Sequence, residues 1–330
     1  MYFVNAYGRD GSVGLPANEE GLNKIVQFAS RSSLDGVAWG LVYPDFLRTA
    51  LPFFSELPFF WKTDRGVTLE LEWQRGLELD ATLNDWHRDV ALGKRPATVF
   101  NATIVDSGQP LFFSTVDLKI DKNLGKSFND LYHDYDIKIP TAVRLSSTFP
   151  YVTPAARLYY AGNQDLKKPE FHITDGGYYD NYGMTILIEW LDKVLESSSG
   201  EIKEVLFIRI HGAAVGGEVQ PSSERGWFYQ SLLPLNTLVN VRGAGQLSHS
   251  RVEFDLMKRY WLSKGVSIES ALFEFSQSDG SNDDPPLSWH LTDKQRAAIE
   301  AAWQKNIDNH RPDSELNRVI RFIGGTENEN

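Results

Sequence analysis

The chain contains no cysteine. Disulfides, thiolate nucleophiles and cysteine-ligated metals are thereby excluded. The compartment stays open, because a protein without disulfides folds in any redox environment. Basic residues are in deficit: 33 Lys and Arg against 44 Asp and Glu give a formal net charge of −11. General nucleic-acid binding wants a basic face, so nucleic acid is not an expected partner. A global attraction to anionic membrane surfaces is not expected either. The first residues lack a basic region followed by an apolar core, so no signal peptide is read. Long apolar runs are missing too. The most apolar stretch, Leu41 to Trp61, is interrupted by Asp45, Arg48, Glu56 and three prolines, which is too broken to span a bilayer. No histidine pair or His/Asp cluster has metal-ligand spacing. Gly243-Ala244-Gly245 lacks the third glycine of a dinucleotide loop. No metal and no cofactor are expected.

What is present suits a folded enzyme-sized domain. The 330 residues allow a sizeable core, and residues 1–323 are read as one α/β domain followed by a frayed tail at 324–330. Helices are expected from Asn18 to Ser30, in part of Ser33 to Ala50 with a break near Pro44, and from Leu77 to Ala91. Residues 64–76 are ambiguous, since Val67 to Trp73 alternates like a strand. Ala97 to Val105 and Pro110 to Asp117, separated by Asp106-Ser107-Gly108-Gln109, read as a hairpin. Thr141 to Ser147 suits a helix. The strand Phe171 to Thr174, the helix Tyr182 to Glu196 and the strand Val205 to Ile210 read as a βαβ unit with a parallel pair. A further strand is expected at Ile268 to Phe275, and helices at Thr292 to Asp308 and Ser314 to Ile323.

The most informative segment is Phe171-His172-Ile173-Thr174-Asp175-Gly176-Gly177-Tyr178-Tyr179-Asp180-Asn181. A strand ends in an acid, two glycines follow, and a helix begins. Ligands of open α/β sheets bind beyond the carboxyl ends of the strands, so Asp175 is a candidate catalytic carboxylate. Gly176 and Gly177 are expected to shape the turn that aims it, by close approach or unusual dihedrals. Asn181 is expected to fix the loop or cap the next helix.

Asp-Gly-Gly, three further residues and Asn181 resemble the second catalytic motif of patatin-like phospholipases. Arg144-Leu145-Ser146-Ser147-Thr148-Phe149-Pro150-Tyr151-Val152-Thr153-Pro154 resembles the Ser-rich, Pro-ended stretch before that motif, and Val99-Phe100-Asn101-Ala102-Thr103 looks like a strand of the family. The likeness covers most of residues 40–250. It implies a three-layer α/β domain with a mainly parallel central sheet, a Ser-Asp dyad without histidine, and acyl lipids as substrates. Asp175 would be the general base, with Ser146 and Ser147 in the loop lining the site. His211, at a strand end, has no role in such a dyad and reads as structural or solvated.

The family's Gly-x-Ser-x-Gly elbow and its glycine-rich oxyanion loop, which present the nucleophile and stabilise the developing oxyanion, are not complete here. The nearest match, Asp10-Gly11-Ser12-Val13-Gly14, has Asp10 in place of the first glycine. A polar loop is the preferred reading of it, and a degenerate nucleophile at Ser12 the alternative. Met1-Tyr2-Phe3-Val4-Asn5-Ala6-Tyr7 fits the middle of the helix that follows an elbow. The expectation is thus an N-terminally shortened patatin-like chain, with the first strand and elbow lying before Met1. Two rivals stand beside it: an inactive relative that binds lipid or protein, and a glycosidase using Asp175 and Asp180 as paired carboxylates. The aromatic stretch Leu51 to Trp61 reads either as a loop packed on the core or as a lid making peripheral membrane contact.

Overall fold

Gly108, in a left-handed conformation (φ 68°), turns the chain at Asp106–Gln109, and the turn closes with Gly108 N–H donating to the Ile104 carbonyl at 2.8 Å. The hairpin it makes, β1 (Val99–Ile104) and β2 (Pro110–Ser114), is antiparallel with Asn101 opposite Phe112. In this computed structural model the described residues are 1–7, 19–51, 64–119, 121, 125–133, 135–148, 153, 156–157, 171–211, 245–246, 248–275 and 290–324. They fall in two compact units, Met1–Gly183 and Met184–Asn330.

In the first unit the helices are α1 (Tyr2–Asn5), α2 (Glu19–Ala29), α3 (Leu34–Gly40), α4 (Phe46–Ala50), α5 (Arg65–Leu77) and α6 (Leu83–Ala91). The expected break at Pro44 is instead a π-helical turn, Leu41–Asp45, that carries the chain from α3 into α4. A wider turn absorbs the missing N–H of proline without ending the helix. The ambiguous stretch after Asp64 is helical, because the Asp64 carboxylate accepts the Val67 N–H at 2.8 Å and caps it. The single helix expected from Leu77 is two elements: Glu78 takes a left-handed conformation (φ 49°), and a Thr82/Asp85 capping box starts α6 afresh.

Further on lie β3 (Lys126–Ser127), α7 (Phe128–Leu131), α8 (Ile139–Ser146), β4 (Ala156–Arg157), β5 (His172–Asp175) and α9 (Gly177–Asp180). The sheet order is β3-β2-β1-β5-β4. Its core packs the fully buried Ile104, Leu111, Phe113 and Ile173 against Trp86, Phe128, Ile139 and Leu145 from the helices.

In the second unit α10 (Met184–Ser197) precedes β6 (Glu204–His211), and a helix over 248–263, here α11, precedes β7 (Ser267–Glu274). β6 and β7 are parallel over eight consecutive pairs, Glu204↔Ser267 to His211↔Glu274. The Trp261 indole N–H donates to the Asp192 carboxylate at 2.7 Å and ties α11 to α10. Two more helices follow, α12 (Asp293–Ile307), started by a Thr292/Gln295 capping box, and α13 (Glu315–Gly324). The outer edge of β7 is closed by side chains of α13. Leu272 N–H donates to Glu315 Oε2 at 3.1 Å, and the Arg318 guanidinium donates to the Ser270 carbonyl at 2.6 Å. Covering an edge in this way blocks strand addition from outside.

The mixed α/β character follows the sequence expectation; the pairing departs from it in two respects. Parallel ladders are β2–β3 and β6–β7, whereas β1–β2, β1–β5 and β4–β5 are antiparallel. The βαβ unit lies one strand later than expected. β5 pairs with β1 and β4, and β6 finds its parallel partner in β7 through α11. Apolar periodicity marks strands and crossovers but not which strand is the neighbour.

Candidate functional site

Ala102 of β1 lies opposite Asp175, the last residue of β5, so the chain leaves the sheet at the acid. Thr103 Oγ1 donates to the Asp175 carbonyl at 3.0 Å and pins the strand end. Gly176 has ordinary helical dihedrals (φ −64°, ψ −26°). The expectation that it supplies unusual ones is corrected. It is glycine because β1 passes too close: a Cβ there would lie 2.7 Å from the Asn101 carbonyl carbon and nearer still to its oxygen. At Gly177 a Cβ would lie 2.7 Å from Asn181 Oδ1 and 2.9 Å from Asp175 Oδ1. Both glycines are therefore close-approach positions.

The missing Cβ lets the Gly177 N–H donate to Asp175 Oδ1 at 2.6 Å. Among the described residues no hydrogen bond goes to Oδ2. Burial pushes the Asp175 carboxyl above the ordinary carboxylate range, and the Gly177 N–H opposes that shift. A carboxylate held by one oxygen and raised toward neutrality can accept a proton with the other.

The supports come from the end of α8. The Ser146 carbonyl accepts the Gly176 N–H at 3.1 Å, and the Thr148 carbonyl accepts the Asp175 N–H at 3.2 Å. Thr174 Oγ1 also donates to the Thr148 carbonyl, at 3.2 Å. The Ser147 hydroxyl donates back to the Val143 carbonyl at 2.7 Å, and Thr148 Oγ1 to the Arg144 carbonyl at 2.8 Å. Arg144 is buried, and its Nε donates to Glu70 of α5 at 2.9 Å; the Thr141 hydroxyl donates to the other Glu70 oxygen. Glu70, Arg144 and Thr148 thus form a chain that holds the backbone of Asp175 from below.

The structure brings Ser146, Gly176, Gly177 and Asn181 to Asp175, Ser146 through its main chain. Ser147 sits on the supporting turn with its hydroxyl committed. Ser12, Phe149, Pro150 and residues 52–61 of the aromatic stretch lie outside the described residues. Asp180 is buried and accepts the Tyr182 N–H at 3.3 Å, a turn-forming contact. His172 N–H and ring both meet Asp106 of the hairpin turn, at 2.9 and 3.3 Å. Sequence reasoning missed Asn101, whose main chain Gly176 faces, and the Glu70–Arg144 pair. The signal for the pair was a lone arginine within the apolar helix Ile139–Ser146.

Among the described residues no group of three or more His, Asp or Glu is arranged to hold a metal ion, and no helix is long and apolar enough to cross a membrane. No family model matches the chain, and no curated protein matches it.

Proposed function

We propose that this chain carries the general-base half of a patatin-like, Ser-Asp lipid acyl hydrolase site. The carrying observation is Asp175: a strand-end carboxylate, raised by burial, with one oxygen fixed by Gly177 N–H and the other without a hydrogen-bond partner among the described residues. In the proposed reaction a serine hydroxyl attacks the acyl carbonyl while Asp175 Oδ2 takes its proton. The base then returns that proton to the leaving alcohol, and water resolves the acyl-enzyme by the same route. The three-layer patatin-type arrangement belongs to the same proposal, supported by the ordered Ser-Ser-Thr-Phe-Pro and Asp-Gly-Gly motifs. Ser12 is the candidate nucleophile that the sequence offers.

One observation favours a second reading, a non-catalytic lipid- or protein-binding relative: among the described residues no serine hydroxyl donates to Asp175. The intact mass of the protein from its source cells, combined with ester hydrolysis by that product, separates the two. Hydrolysis of a phospholipid or short acyl ester that Asp175→Ala abolishes supports the hydrolase. Lipid binding with no ester cleavage in a product of 37.3 kDa supports the binding module.

A further inference from the structure

The second unit holds a cleft of about 330 Å³ between α11 and the sheet of β6 and β7. Its chemistry is unusual for a crossover helix on a sheet. Toward the start of the strands the packing is apolar: Phe207 meets Phe254 with ring centroids 4.8 Å apart, and Ile268 is fully buried. Toward the carboxyl ends the same faces turn polar. Arg209 and His211 alternate onto the lining from β6, and Glu274 stands opposite His211 in register. From α11 come Arg251, Asp255 and Lys258, spaced to share one helix face.

Three permanent cations therefore face two carboxylates. Arg209 Nε is buried and has no hydrogen-bond partner among the described residues. Its guanidinium carbon lies 5.9 Å from the centroid of the Phe254 ring. No ion pair joins Arg209, Arg251 or Lys258 to a carboxylate among the described residues. His211 is held toward its neutral form by burial and by the Arg209 charge. A neutral imidazole still offers one N–H donor, whereas a guanidinium left without an acceptor in a part-buried site calls for an anion. The position also fits, since parallel strands bind ligands beyond their carboxyl ends.

We infer that this cleft binds the phosphoryl group of a small phosphate ester, through Arg209 and Lys258 with Arg251 at the mouth. A dianion matches two or three cations better than a carboxylate does, and the volume accommodates a headgroup-sized ester. The site is independent of Asp175 and of the acyl-hydrolase reading.

The test is calorimetric titration of the full chain with inorganic phosphate and with glycerol 3-phosphate, beside flotation with phosphatidylcholine vesicles carrying phosphatidic acid. Saturable binding of a phosphate probe, weakened tenfold or more by Lys258→Gln and by Arg209→Gln, is expected. Soluble esters binding without vesicles identifies a free metabolite; vesicles binding without soluble esters identifies a lipid headgroup. Lys258 is partly exposed, so its variant should fold even where Arg209→Gln does not, which circular dichroism checks. Absence of binding to every probe, or binding unchanged in folded Lys258→Gln, overturns the inference.

Discussion

The backbone N–H of Gly177 donates to Asp175 Oδ1 over 2.6 Å, from a position where a single methyl group would collide with the same oxygen. Aim and sterics are thus set by one residue. Gly177→Ala should displace the Asp175 and Asn181 side chains, which are able to rotate, and leave the fold largely intact. Gly176→Ala meets main chain of β1, which cannot rotate away. Its cost should be on the order of 2–3 kcal/mol, in the range of overpacked positions, against about 1 kcal/mol for Gly177→Ala. Chemical denaturation of the two variants checks the ordering, and equal losses would refute it.

Asp175 should also limit stability near neutral pH. The unfolded carboxyl titrates in the ordinary range, while burial raises it in the folded chain. The folded state then binds that proton more tightly, so ionised Asp175 costs stability at pH 7, and the cost disappears as pH falls through the raised value to the ordinary one. Asp175→Asn keeps an acceptor for Gly177 and removes the charge. A Tm gain of roughly 2–4 °C at pH 7, shrinking toward about pH 4, is expected. A variant less stable than the parent at pH 7 would contradict the assignment.

The Glu70–Arg144 pair joins α5 to α8 with both side chains largely out of solvent, 16% and 6% exposed. Removing one partner strands the other. Arg144→Met should cost about 3 kcal/mol, and Glu70→Leu with Arg144→Met should recover part of it. A double-mutant cycle with no coupling energy would show that the pair does not hold the turn beneath Asp175.

Much of this was legible in residues, and the gaps have physical causes. The hairpin at Asp106–Gln109 and the Thr292 cap were readable because turn and capping chemistry is local. The strand end at Asp175 was readable because an apolar run closed by an acid and two glycines marks a local boundary. The reason for Gly176 was not readable, since it lies in the Asn101 main chain, 75 positions away and adjacent only through β1–β5 pairing. The partner of β6 was misread for the same reason. β7 is distant in sequence, and an apolar run states that it will be buried without stating beside what. Arg144 was passed over because a lone arginine in an apolar helix does not name its acid, and Glu70 lies on another helix.

α6 offers a check on local energetics. The Thr82 hydroxyl accepts the Asp85 N–H at 3.2 Å, and Asp85 returns to the Thr82 N–H at 2.9 Å. Thr82→Ala should cost about 1 kcal/mol, and because Trp86 sits one turn later in the core, the loss should appear in near-ultraviolet as well as far-ultraviolet melting curves. A neutral substitution would mean that packing alone fixes the start of α6.

The most direct test of the central claim is the rate of phospholipid and acyl-ester hydrolysis by the native product, compared with the same product carrying Asp175→Asn. Measurable hydrolysis is expected, falling by about 10²–10⁴-fold in the variant, the range of a lost general base, while the fold persists. Hydrolysis that survives Asp175→Asn undiminished would contradict it.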